Sequence, residues 1–186
     1  MRTTQWMTAG ICAGLLFSAR ASFADGVSPS TTQTPSAPAP TDKAFLVRAL
    51  GVNQLELMLG QMAVKRAAAP EVRAMGEKMV QKHTEFGRQL SDLAQIAPTS
   101  EAPKLSADQQ RTYVRLASLS GTDFDKSFKE TVNAGHVQEL AMYREEVGHA
   151  VDPRLVALAQ GRVATLEKSM ANAVQAMNVA PKKHDW

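Results

Sequence analysis

The sequence predicts an all-α fold: an antiparallel four-helix bundle with one long crossover between its second and third helices, the crossover carrying a short helix of its own. Three observations predict it. Four long segments place apolar residues at alternating steps of three and four, the spacing of one helical face. Two corners, at Pro70 and at Asp152-Pro153, divide these segments into two closely spaced pairs. Aromatic content is only 5%, and no segment alternates with the period of a strand.

The chain opens with Arg2 and a mostly apolar run from Trp6 to Phe17. Ser22-Phe23-Ala24 follows, with small residues where a signal peptidase reads. Residues 1–24 are therefore expected to be a secretory signal, cut after Ala24 and too short for a stable membrane span. Cys12 lies inside it, preceded by Ile11 where a lipoprotein signal needs a small residue, so lipidation is not expected. Cleavage leaves no cysteine, hence no disulfide or thiolate chemistry. It also removes Arg2 and Arg20, so the net charge of +3 falls to +1, from 19 basic and 18 acidic residues. That balance gives no reason to expect nucleic acid. No second run of membrane length follows, and the expected compartment is the bacterial periplasm or the exterior.

Residues 25–41 are rich in Ser, Thr, Pro, Ala and Gln and read as a disordered tether. The bundle is expected over 42–180, with a loose polar tail at 181–186. The first long helix opens near Thr41-Asp42, a cap residue followed by a charge suited to a helix start, and ends near Ala68. Its seam is Phe45, Ala49, Val52, Glu56, Leu59 and Ala63. The second begins at Pro70 and runs to about Ile96, before Pro98, with Val72, Gly76, Met79, His83, Phe86, Leu90 and Leu93 on one face. Ser106-Ala107-Asp108-Gln109 is a capping box, so a short helix is expected from there to about Leu119. The third long helix is expected to start at Thr122-Asp123 and to present Phe124, Phe128, Val132, His136, Leu140, Tyr143 and Val147. The fourth follows Asp152-Pro153 with Leu155, Ala159, Arg162, Leu166, Met170, Ala173 and Met177. Four helices joined by one long connection form the ferritin-like arrangement. A weak internal repeat agrees: laying Pro70 on Pro153 also lays Glu56 on Glu139 and Leu57 on Leu140.

The apolar seams are interrupted by polar residues at similar depth. Glu56 and His83 stand nearly equidistant from the Pro70 corner. His136 stands at a comparable distance before Pro153, facing the region of Leu166 to Met170 on the last helix. Glu139 lies one turn from His136. A carboxylate and two imidazoles converging in a bundle have two ordinary explanations. They can ligate a metal such as iron, zinc, manganese or copper. They can also satisfy one another as a buried structural pair. The full di-iron pattern is missing, because Val80 and Asn133 stand where Glu-x-x-His would need acids. The methionines read as core filler. No phosphate loop, nucleophile elbow or zinc-protease motif is present.

At these residues the chain resembles a family of exported bacterial domains of unknown function with a ferritin-like fold, whose members carry labels such as outer-membrane or secreted protein. The pieces that carry the resemblance are NQLELMLGQMA, APEVRAMGEKMVQKHTEF, the stretch from SGTDFDKSF through GHVQEL, and DPRLVALAQ. They span residues 42 to 178. The resemblance implies that Glu56, His83 and His136 are the polar residues such domains hold inside the bundle. The histidine that members carry on the last helix would fall at Ser169. It also implies association with envelope or general stress. The expected function is a non-enzymatic exported bundle with an envelope or protein partner. The alternative is a metal-binding or redox protein using Glu56, His83 and His136, with Glu139 as a further ligand.

Overall fold

The structure, a computed structural model, describes residues 37–95 and 104–179. The signal segment, most of the tether, the stop at Pro98 and the tail lie outside the described residues. Five helices are present, and no strand occurs among the described residues: α1 Pro40–Arg66, α2 Pro70–Ala94, α3 Ala107–Ala117, α4 Gly121–His149 and α5 Pro153–Val179.

Each helix start has a local cause. Pro40, Pro70 and Pro153 occupy first positions, where the missing N–H costs nothing. Ser106 closes the expected capping box with Gln109, each side chain bonding the other's backbone N–H. Gly121 opens α4 with φ +59, a left-handed conformation that suits glycine. The cap of α4 is Ser120, not Thr122-Asp123. The first helix also departs from expectation. It begins at Pro40 after Ala39, so the tether ends earlier than residue 41 and Thr41 does not cap it, while Asp42 falls in the first turn as expected.

Asp42 does something else. It is only 1% exposed, and its carboxylate accepts hydrogen bonds from the backbone N–H groups of Val151 and Asp152, at the α4–α5 corner. Asp125, near the start of α4, accepts from Ala68 and Ala69 N–H, at the α1–α2 corner, at 3.1 and 2.7 Å. Each helical hairpin therefore satisfies the corner of the other. The shift that carries Pro70 onto Pro153 also carries Asp42 onto Asp125 and residues 68–69 onto 151–152. The internal repeat is thus visible as a reciprocal pair of locks.

These bonds also set direction. The start of α1 lies beside the end of α4, and the end of α1 beside the start of α4. The two run antiparallel, so α2 runs with α4. Parallel helices cannot be joined by a tight turn, which accounts for the long connection carrying α3. Arg66 donates to the carbonyls of Ala117 and Leu119, and Arg115 to the hydroxyls of Ser127 and Thr131, tying α3 to its neighbours. Within the first hairpin the backbones touch. A Cβ placed on Gly76 would lie 2.8 Å from both Ala63 Cβ and Gly60 O, so only glycine allows that approach.

Two apolar cores result. One gathers Phe45, Leu46, Leu90, Tyr143 and Leu155; the other gathers Leu59, Val72, Leu116, Phe124 and Phe128. Along α1, α2 and α4 a polar layer separates them.

Candidate functional site

The layer is built from four helices. α1 supplies Asn53 and Glu56, α2 supplies His83, α4 supplies Glu139, and α5 supplies Arg162. All five are at most 7% exposed. Such burial demands partners, since an unpaired charge in the interior is strongly disfavoured.

Arg162 is the hub. Its Nε and Nη2 donate to the two oxygens of Glu139 at 2.8 and 2.7 Å, a two-pronged pairing. Nη2 also donates to Glu56 Oε2 at 3.3 Å. The guanidinium lies over the Phe86 ring, 4.6 Å from its centroid. Burial works against the charge of Arg162. Glu139, through charge and hydrogen bonding, and Glu56 outweigh that burial and hold the group above its ordinary range.

His83 is fixed by Asn53. The Asn53 amide nitrogen donates to the His83 carbonyl at 3.0 Å, and its oxygen faces His83 Nδ1 at 2.9 Å. A backbone carbonyl can only accept, so the amide orientation follows, and Nδ1 must carry the hydrogen. Glu56 Oε2 lies 3.2 Å from the same Nδ1. Burial, together with the Arg162 charge, lowers the His83 pKa to about 3, so the ring is neutral at ordinary pH. Burial and the Glu139 charge raise Glu56 to about 8, against a smaller opposing pull from Arg162. The His83–Glu56 contact is therefore not an ion pair, despite its distance: the ring is neutral and its Nδ1 hydrogen goes to Asn53 Oδ1. Gly87 makes room for the clamp: a Cβ there would lie 2.6 Å from the Asn53 amide nitrogen.

The predicted residues are distributed unevenly around this hub. Glu56 and His83 meet as the corner counting expects. Glu139 is 3% exposed and fully engaged with Arg162. His136 is half-buried, and its ring makes no hydrogen bond among the described residues. Burial, then Arg162 and Lys82, lower its pKa to about 4. The contribution of the last long helix is Arg162, one turn before the expected region of Leu166 to Met170. A long side chain reaches along the bundle where a short one would have to sit level. Among the described residues, no group of three or more His, Cys, Asp or Glu is gathered around a single metal position. A guanidinium stands between the two carboxylates instead.

With Glu56 holding its proton, Arg162 and Glu139 balance each other in charge. Glu56 Oε1 is nevertheless buried and without a hydrogen-bond partner. Sequence reading missed Asn53, Arg162 and Gly87 as parts of the layer. Arg162 was signalled by its place in an apolar stripe. Asn53 sits at helical spacing from both Ala49 and Glu56, beside the seam rather than on it.

Comparison with known proteins gives the fold a context. The chain is similar to solved structures of CopM in the Ag-bound form, with a TM-score of 0.58 at 15% identity over 75% of this chain and 97% of that one. It is similar to a DUF305 protein from Streptomyces coelicolor, described as secreted, with a TM-score of 0.58 at 17% identity over 77% of this chain and 96% of that one. Likeness at such identity speaks for the helical fold alone. No curated protein matches the chain. One domain family, described as a domain of unknown function, matches residues 27–176. The chain belongs to that family, DUF4142.

Proposed function

We propose that this protein is an exported, non-enzymatic helical bundle of the ferritin-like type, acting in the cell envelope and linked to envelope stress, and that its central polar layer holds the helices in register. The export signal read over 1–24, the parallel run of α2 and α4 and the family resemblance support the first part. One observation carries the second: Arg162 occupies the space between Glu56 and Glu139, the place a bound cation would take. A buried ion pair of this kind specifies which faces meet more than it adds net stability.

Paired assays test this reading. Tag-free protein should contain no stoichiometric iron, zinc, manganese or copper. Arg162→Met should cost about 3–5 kcal/mol in chemical denaturation, because it strands the buried Glu139 carboxylate and unpartners Glu56. Stoichiometric metal that vanishes in His83→Ala, or an Arg162→Met protein as stable as wild type, would overturn it.

A second reading is metal binding by Glu56, His83 and His136, with Glu139. The two neutral imidazoles favour it, since a neutral ring nitrogen has a lone pair to give. The likeness to CopM in the Ag-bound form points the same way and suggests a soft cation on the imidazoles. The carboxylates fit it poorly, being held by Arg162.

A further inference from the structure

Beside the polar layer, α1, α3 and α4 enclose a groove of about 370 Å³. That is within the range of small-molecule sites, roughly 300–1,000 Å³. Its walls are mainly apolar, with Val52, Leu55 and Leu59 from α1 and Met142 from α4. Glu56 and Glu139 stand at its inner edge.

Three features give the groove a chemical polarity. First, Glu56 is 5% exposed and its Oε1 has no partner, while Oε2 is engaged by Arg162 and His83. Second, the α4 side of that oxygen has room for a further heavy atom. The position a Cβ would take on Gly135, which also lines the groove, has Glu56 Oε1 as its one neighbour, at 3.8 Å. A donor entering past Gly135 therefore finds a buried acceptor. Third, Arg115 lines the same groove, and its guanidinium donates to Ser127 Oγ and Thr131 Oγ1, both at 2.9 Å. Those partners are neutral, and no carboxylate pairs with Arg115 among the described residues. Thr131 and Gly135 are four residues apart on α4, roughly 6 Å along the axis. An unsatisfied acid and an unneutralised base thus flank an apolar channel about one helical turn apart.

We propose that this groove binds a small zwitterion, a free amino acid with an apolar side chain. Its ammonium donates to Glu56 Oε1, which has no other partner. Its carboxylate takes the place of water on Arg115. Its side chain lies along Val52, Leu55 and Leu59. This site is separate from the register role of Arg162, which does not depend on a ligand.

Titration of the full mature chain with L-leucine, followed by amide chemical shifts and calorimetry, tests the proposal. Butylamine and isovalerate serve as comparators carrying one charge each. Saturable leucine binding at millimolar concentration is expected, with shifts at Gly135, Leu55 and Thr112. Glu56→Gln and Arg115→Gln should each weaken it about ten- to hundredfold, the loss of one charge-assisted hydrogen bond. Gly135→Ala should fold well, because the space is open and alanine favours helix. Its methyl group should nevertheless block the approach to Oε1 and weaken binding by a similar factor. Absence of saturable leucine binding to the wild type overturns the proposal. So does binding that Gly135→Ala and Glu56→Gln leave unchanged. Butylamine binding as tightly as leucine, with Arg115→Gln without effect, overturns the zwitterion in favour of a simple ammonium.

Discussion

Glu56 and His83 are in contact but respond to pH in opposite directions, because burial penalises the charged form of each. The folded pKa of His83 is about 3 and that of His136 about 4, below the ordinary 6.5. As pH falls below 6.5 the unfolded chain takes up protons that the folded chain refuses, so both imidazoles withdraw stability on the acid side. Glu56 is the reverse, raised from 4.5 to about 8. The folded state keeps a proton that the unfolded state releases, so this group withdraws stability as pH rises from 4.5 towards 8. Glu146, raised by burial, acts in the same sense as Glu56. Above pH 6.5 the unfolded imidazoles lose their remaining protons within about one unit, so their contribution fades and Glu56 dominates the layer. Melting temperature should therefore fall between pH 6.5 and 8, and Glu56→Gln should flatten that limb. A melting temperature that climbs steadily to pH 8 in the wild type would contradict the assignment. At this scale the sequence was partly legible. Polar residues on apolar stripes marked Glu56 and His83 for burial, and the same signal stood at Arg162 without being used. Which of them would hold which was not legible, because that depends on side-chain reach: Arg162 spans a turn to find Glu139, and Asn53 turns its amide to His83.

Asp42 and Asp125 show why elements are easier to find than their connections. An acidic residue at a helix start normally serves its own helix, and Asp42 does lie in the first turn of α1. Its carboxylate also accepts from Val151 and Asp152, more than a hundred residues away in sequence. Local pattern fixes that a helix starts here; only packing of the two hairpins decides which N–H groups the carboxylate meets. The helix starts at Pro70, Ser106 and Pro153, whose causes are local, were legible. Because the two aspartates are related by the internal repeat, they should be worth similar amounts. Asp42→Ala and Asp125→Ala should each cost about 1–3 kcal/mol, the loss of two charge-assisted hydrogen bonds to part-buried N–H groups. Urea denaturation of the two variants measures this. A cost confined to one of them would mean that the other corner finds water instead.

The reciprocal placement of these locks bears on the molecule as a whole. A hairpin whose corner is satisfied internally can fold and open by itself. Here the first hairpin holds the second's corner through Asp42, and the second holds the first's through Asp125. The polar layer adds a third tie between the halves, since Arg162 on α5 reaches Glu56 on α1 and lies over Phe86 on α2. Opening one hairpin from the other therefore strands backbone N–H groups at both corners and parts Arg162 from Glu56 between them. The described helices should unfold as one cooperative unit. Native-state hydrogen exchange distinguishes this from independent hairpins. In Asp42→Ala, the amides that depend on global opening should exchange faster by the same factor in α1–α2 and in α4–α5, although the substitution directly unpartners only Val151 and Asp152. Faster exchange restricted to the α4–α5 corner would show that the hairpins open separately. The reciprocal locks would then be two local caps, and register would rest on the Arg162 layer alone.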